Sequence, residues 1–195
     1  MRRFLVCVVV SLWACAFLSA CSGVPLGSVP RLLALRTELL VANPAEMLLA
    51  VQTDERLVPA RGGVPTLDFD VRPEEPGTFE AVQRSVPMRL KAGGALPPGL
   101  PGAGAGRHWM IYDFGPEAQK EVASLQARIR QIRAERQGKT GGSLGIAVTQ
   151  DGLAPSDSRL GRTLWQSWLQ TSAKTGFFEF WTGSLDDLKA SRQHK

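Results

Sequence analysis

The chain of 195 residues has two histidines, His108 and His194, and the second is next to last in the sequence. Any acid/base or nucleophile-activating scheme built on imidazole therefore rests on His108. Asp113, Ser143 and Ser167 are the groups that could meet it in space, but no nucleophile elbow or metal motif accompanies any of them. Asp68 and Asp70, two apart in TLDFDVR, project to the same side of a strand and form the one carboxylate pair worth weighing as an acid pair or metal site. No histidine or third carboxylate stands near them in sequence, so they read as solvated groups on the outer face of a sheet. Gly102, Gly104 and Gly106 imitate part of a phosphate-cradling loop, but a strand follows where that chemistry needs a helix N-terminus. Asp186 and Asp187 fit helix capping better than catalysis. The sequence thus predicts a protein that is not an enzyme and uses neither metal nor cofactor, with a hydrolase as the weakest of the functional readings.

Aromatic side chains offer a different chemistry. The segment RTLWQSWLQTSAKTGFFEFWTG, residues 162 to 183, places Trp165, Trp168 and Trp181 beside Gln166 and Gln170. Stacking rings interleaved with amide donors suit a sugar surface, which makes a cell-wall glycan a candidate ligand. Aromatics at alternating positions also build the core of a sandwich, and that is the favoured reading. Exposure of the tryptophans separates the two, because buried rings cannot stack on sugars.

The three cysteines fall at 7, 15 and 21. Met1, Arg2 and Arg3 give a short basic start, and Phe4 to Phe17 carries no charge and no proline, the layout of an export signal. That apolar run is shorter than the roughly 20 residues needed to cross a hydrocarbon core, so a membrane span is the lesser alternative. The run is followed by Leu18, Ser19, Ala20 and Cys21. This quartet resembles the lipobox of bacterial lipoproteins, with an aliphatic residue three places before the cysteine and small residues between. Cys15 is preceded by Trp13 and Ala14, and Cys7 by bulky Val6, so neither fits. The resemblance covers about the first 22 residues. It implies a thioether-linked diacylglycerol on Cys21, recognition of Leu18, Ser19 and Ala20 by the signal peptidase, removal of residues 1–20, and acylation of the new amino group. Ser22, where the family often has Asp for inner-membrane retention, implies the periplasmic face of an outer membrane.

Once residues 1–20 are removed, no second thiol is left for a disulfide or a zinc–thiolate site. About 175 residues then remain, enough for one domain with an ordinary core. The formal charge is +5. Loss of Arg2 and Arg3 takes Lys plus Arg from 23 to 21 against 18 acids, too mild a balance to argue for nucleic acid. The expected partners are membrane lipid through Cys21 and an envelope protein.

The elements that must position these groups follow from periodicity. Residues 21–30 read as the acylated cysteine and a Gly/Pro/Ser tether, and 31–195 as a single β-rich domain. Leu33 to Ala42 suits helix and strand equally. Glu46 to Thr53, Thr66 to Arg72, the Pro87-interrupted stretch 77–94, Trp109 to Phe114, 141–152, and the hairpin Thr163–Thr171 and Phe177–Thr182 read as extended. The apolar stripe Ala118, Val122, Leu125, Ile129 and Ile132 predicts one long amphipathic helix over 116–137. Its other face carries Arg128, Arg130, Arg133 and Arg136, candidate contacts for anionic headgroups. Ser184 and Asp187 predict a capping box opening a short C-terminal helix. The fold class is α+β, mostly β: an antiparallel sheet or β-sandwich of about seven or eight strands with these two helices.

Overall fold

A computed structural model describes residues 23–59, 63–135, 142–150 and 158–193. Eight strands among the described residues form two antiparallel sheets, with a long helix and a short C-terminal helix, so the fold is α+β and mostly β. The elements are α1 (Val29–Glu38), β1 (Leu48–Asp54), β2 (Pro65–Pro73), β3 (Val82–Pro87), β4 (Arg89–Leu90), β5 (Arg107–Asp113), α2 (Pro116–Glu135), β6 (Gly142–Gln150), β7 (Leu164–Gln170), β8 (Phe177–Ser184) and α3 (Leu185–Gln193). One sheet runs β4-β5-β1-β7-β8 and the other β3-β2-β6.

Strand β2 shows why the second sheet forms. Pro65, Leu67, Phe69 and Val71 are buried while Thr66, Asp68 and Asp70 between them are half-buried, the period of two that puts one face on a core. Its neighbours face the same way, since Leu67, Phe69 and Val71 pair with Val148, Ile146 and Leu144 of β6. In the five-stranded sheet, β1 is central and buried over five consecutive residues. Its Leu49 and Val51 stand beside Tyr112 and Met110 of β5, and these join Leu67, Phe69 and Val86 of the other sheet in one core. Pro87 closes β3, and Arg89–Leu90 then switches to the first sheet as its edge, as expected of a residue that cannot donate to a ladder.

Helix α2 buries Val122, Leu125, Ile129 and Ile132 as predicted, together with Gln126. Its last described residue is Glu135, and residues 136–137 of the predicted span lie outside the described residues. The capping box of α3 forms in full: Ser184 Oγ accepts from Asp187 N at 3.1 Å, and Asp187 Oδ2 accepts from Ser184 N at 2.9 Å. The Ser184 hydroxyl, which donates to Asp187 Oδ2 at 2.6 Å, and after it the Ser184 N–H hold the Asp187 carboxyl below the usual carboxylate range.

Two segments differ from the sequence reading. The ambiguous stretch 33–42 is helical up to Glu38, and the helix begins earlier, at Val29, with Pro30 in its first turn, where proline's missing N–H costs nothing. The stretch expected as a short tether, 21–30, is described from Gly23. From Gly23 onward it is folded onto the domain: Thr182 N donates to Gly23 O at 2.6 Å, and Leu26–Ser28 form a 3-10 turn running into α1.

Candidate functional site

Gly23 explains how the N-terminal segment docks. Its φ is +110°, a region L side chains rarely adopt, and the indole of Trp181 occupies the place where a Cβ would stand. Gly183 makes room on the same ring, since a Cβ there would lie 2.8 Å from Trp181 Cη2. Trp181 of the edge strand β8 is thus a half-buried plate between two glycines. Leu18, Ser19, Ala20 and Cys21 lie outside the described residues.

The hairpin tryptophans are placed on opposite faces. Trp165 is 2 % exposed and points into the core, where its Nε1 donates to Ser167 Oγ at 3.1 Å. Trp168 is 8 % exposed on the outer face of the five-stranded sheet, edge-on to Trp109 with ring centroids 4.8 Å apart. The Gly/Pro loop before β5 is tied to this layer, since Trp109 Nε1 donates to Pro101 O at 3.2 Å. Neither Trp165 nor Trp168 offers the open face a sugar needs. The amides are also engaged: Gln170 Nε2 donates to Glu46 O at 2.9 Å, and Gln166 joins a chain of polar groups.

That chain was not anticipated. Arg107 Nη1 donates to Gln166 Oε1 at 2.6 Å and Nη2 to Gln52 O at 2.9 Å, while Gln166 Nε2 donates to Glu179 Oε1 at 2.8 Å. Burial pushes the Arg107 guanidinium below its ordinary range, and Glu179 opposes that shift. The amide of Gln166 on β7 thereby links a cation on β5, on the far side of β1, to a carboxylate on β8. Arg107 Nε is buried without a hydrogen-bond partner among the described residues. Arg107 stands two residues before the extended run read from the sequence, Trp109 to Phe114, and its neighbours follow only from the register of β1, β5 and β7.

Beside this layer lies an open groove of about 820 Å3 lined by Val58, Leu90, Lys91, Leu96, Trp109 and Ile111 among others. Leu90, Leu96 and Val58 are exposed in it at 40 to 66 %. Strand β4 pairs with β5 only at Arg89–Asp113 and Leu90–Tyr112, and Lys91 N then donates to Ile111 O at 2.8 Å. Alternate residues of a strand direct their N–H and C=O to the same edge, so the peptide groups of Trp109 face where those of Ile111 do. No strand covers that edge past Leu90 among the described residues. The site is an apolar trough along a part-open strand edge.

The groups considered for histidine chemistry are separated. His108 pairs with Thr53 at one end of β5, whereas Asp113 at the other end is ion-paired with Arg89 at 2.7 Å. Ser167 is buried and accepts from Trp165, and Ser143 lies on β6 of the other sheet. Asp54, which borders His108, is engaged by Arg56 at 2.7 Å and is lowered to about 2, chiefly by those hydrogen bonds. Asp68 accepts from Thr149 and Thr66 hydroxyls at 2.8 and 3.1 Å, and Asp70 is ion-paired with Arg72 at 2.7 Å. No cluster of three metal-ligating side chains occurs among the described residues.

Of the arginines on α2, Arg128, Arg130 and Arg133 are exposed, and Arg136 lies outside the described residues. Arg130 is also bonded inward: its Nη1 donates to Leu40 O, and Gln126 Nε2 donates to Leu39 O at 2.7 Å and Ala42 O at 3.0 Å. Together they clamp the carbonyls of the turn that follows α1, polar groups that need a partner where they are buried. No helix among the described residues is long and apolar enough to cross a membrane.

The class these observations define is a two-sheet, antiparallel α+β domain with a part-open edge and an apolar trough. No protein-family model, curated protein or solved structure matches the chain.

Proposed function

We propose that this chain is a lipid-anchored envelope protein, acylated at Cys21 after removal of residues 1–20, whose domain binds a partner and performs no catalysis. The observation that carries the reading is the continuity of anchor and body. The basic start, apolar run and Leu18–Cys21 quartet end two residues before Gly23, which is already hydrogen-bonded to β8. Ser22 favours the periplasmic face of an outer membrane, as the lipoprotein resemblance implies.

The trough along β5 is the partner surface. Its occupant is an extended segment of an envelope protein, because a strand edge supplies main-chain donors and acceptors while Val58, Leu90 and Leu96 supply apolar seats for alternate side chains. Against the glycan alternative stands the burial of Trp165 and Trp168, with Gln166 and Gln170 bonded internally. Against a His108-centred hydrolase stands the separation of Asp113 and Ser143 from that ring and the engagement of Ser167 by Trp165.

A photo-crosslinking residue placed in living cells at Val58 or Leu96 tests this. The expected result is a discrete adduct with one envelope protein from both positions and none from Glu75, an exposed position on the β2–β3 connection. Acylated, exported protein that yields no adduct from the trough would refute the partner surface.

A further inference from the structure

Helix α1 is amphipathic in the wrong sense for a protein surrounded by water. Its exposed arc, with the turn before it, presents Leu26, Val29, Pro30, Leu33, Ala34 and Thr37. Leu26 is 87 % and Leu33 75 % exposed. No charge falls on these positions, and Arg36, seven residues after Val29, sits at the rim of the arc by helical spacing. The charged groups whose contacts are described turn toward the domain. Arg31 lies over the Phe178 ring at 4.9 Å and donates to Thr175 O at 3.0 Å, and Glu38 accepts from Thr171 Oγ1 at 3.1 Å. A helix with no polar outer stripe is normally covered, and isolated exposed leucines would not call for comment whereas a contiguous uncharged arc does.

What covers it follows from chain length. Two Cα–Cα steps separate Cys21 from Gly23, at most about 7.6 Å at 3.8 Å per step. Gly23 is fixed on Trp181 and Thr182, and the Leu26–Ser28 turn packs against the same strand. A lipid carried by Cys21 cannot leave this end of the domain. We infer that the exposed arc of α1 lies in the bilayer interface, so that the domain rests on the membrane through Leu26, Val29 and Leu33 and does not hang from a flexible spacer. This rests on the acylation proposed above.

The test uses the full chain, exported, extracted in detergent and returned to vesicles of phosphatidylethanolamine and phosphatidylglycerol. Leu26→Cys, Leu33→Cys and, as a water-exposed reference, Glu75→Cys each introduce the sole free thiol of the processed protein for a nitroxide label. Collision rates with oxygen, which concentrates in lipid, and with a nickel chelate, which stays in water, are then compared. Labels at 26 and 33 are expected to collide more with oxygen, the reverse of the label at 75. Leu33 is exposed, so its replacement leaves the fold intact.

Intact mass on the same samples separates the failures. A mass lacking the diacylglycerol refutes the anchor and this inference with it. An acylated protein whose labels at 26 and 33 still collide freely with nickel refutes the inference alone. Shielding of both labels in whole envelopes but not in lipid vesicles would mean that a protein covers α1, and overturns the assignment to lipid.

Discussion

Replacing Gln126 by methionine should destabilise the domain by about 2–4 kcal/mol. The side chain is 4 % exposed, and its amide donates to two carbonyls, Leu39 O at 2.7 Å and Ala42 O at 3.0 Å. Methionine has similar length and fills the space but donates nothing, so the core cavity term is absent. Two hydrogen bonds lost at a net ~1 kcal/mol each set the lower figure, and about 2 kcal/mol more for a carbonyl left desolvated sets the upper. At about 2–4 °C per kcal/mol for a domain of this size, the melting temperature should fall by roughly 5–15 °C. Urea unfolding followed by tryptophan fluorescence measures the change, with Gln131→Met as the control. Gln131 is exposed and bonds only Glu135 at 2.7 Å among the described contacts, and its variant should stay within about 0.5 kcal/mol of the parent. A Gln126→Met protein as stable as that control would refute the view that α2 holds the end of α1 in place.

Gly23→Ala should raise the hydrogen-exchange rate of Thr182 N–H at least about tenfold. An L side chain at φ +110° is strained by about 1–3 kcal/mol and meets the Trp181 indole; an unchanged Thr182 amide would mean that this contact does not hold the segment. Asp54 should titrate near 2 by carboxyl NMR, and Arg56→Ala should move it up toward the ordinary 3.9 or so. Because its folded value lies below its unfolded one, the Asp54 contribution to stability is present above about pH 4 and disappears as pH falls through about 2; a titration in the ordinary range in the parent protein would contradict this. Trp168→Ala should cost about 3–5 kcal/mol of stability, whereas a rim residue used only for ligand stacking would cost little.

The elements with a single strong periodicity could be read directly. Leu67, Phe69 and Val71 alternate cleanly in β2, the Val122–Leu125–Ile129–Ile132 stripe marks α2, and Ser184 with Asp187 marks the start of α3. Each of these is a local signal that tertiary packing reinforces. Helix α1 was ambiguous because its leucines suit helix and strand equally, and the structure sorts them: Leu35 and, just past the helix, Leu39 meet the core while Leu33 faces outward. Pro30 stood in the sequence as the boundary of a tether, but the same residue is favourable in a first helical turn, and only the contact of Gly23 with Trp181 decides between them.

The hairpin tryptophans illustrate the limit of alternation. Trp165 and Trp168 are three apart and so lie on opposite faces of β7, yet both are buried, because the second face is covered by Trp109 and the loop that fastens to it. The trough and the Arg107–Gln166–Glu179 chain depend on which strands neighbour β5 and on how soon β4 ends. Those are long-range facts that no window of sequence contains.

The thioether on Cys21 is the claim from which the envelope address, the short reach of the anchor and the resting of α1 on lipid all follow. Intact-mass spectrometry of the detergent-extracted protein tests it most directly. The expected result is a chain that begins at Cys21 and is heavier than the bare polypeptide by a diacylglyceryl group and one further acyl chain. A chain that retains residues 1–20, or one that starts at Cys21 with an unmodified thiol, would contradict it.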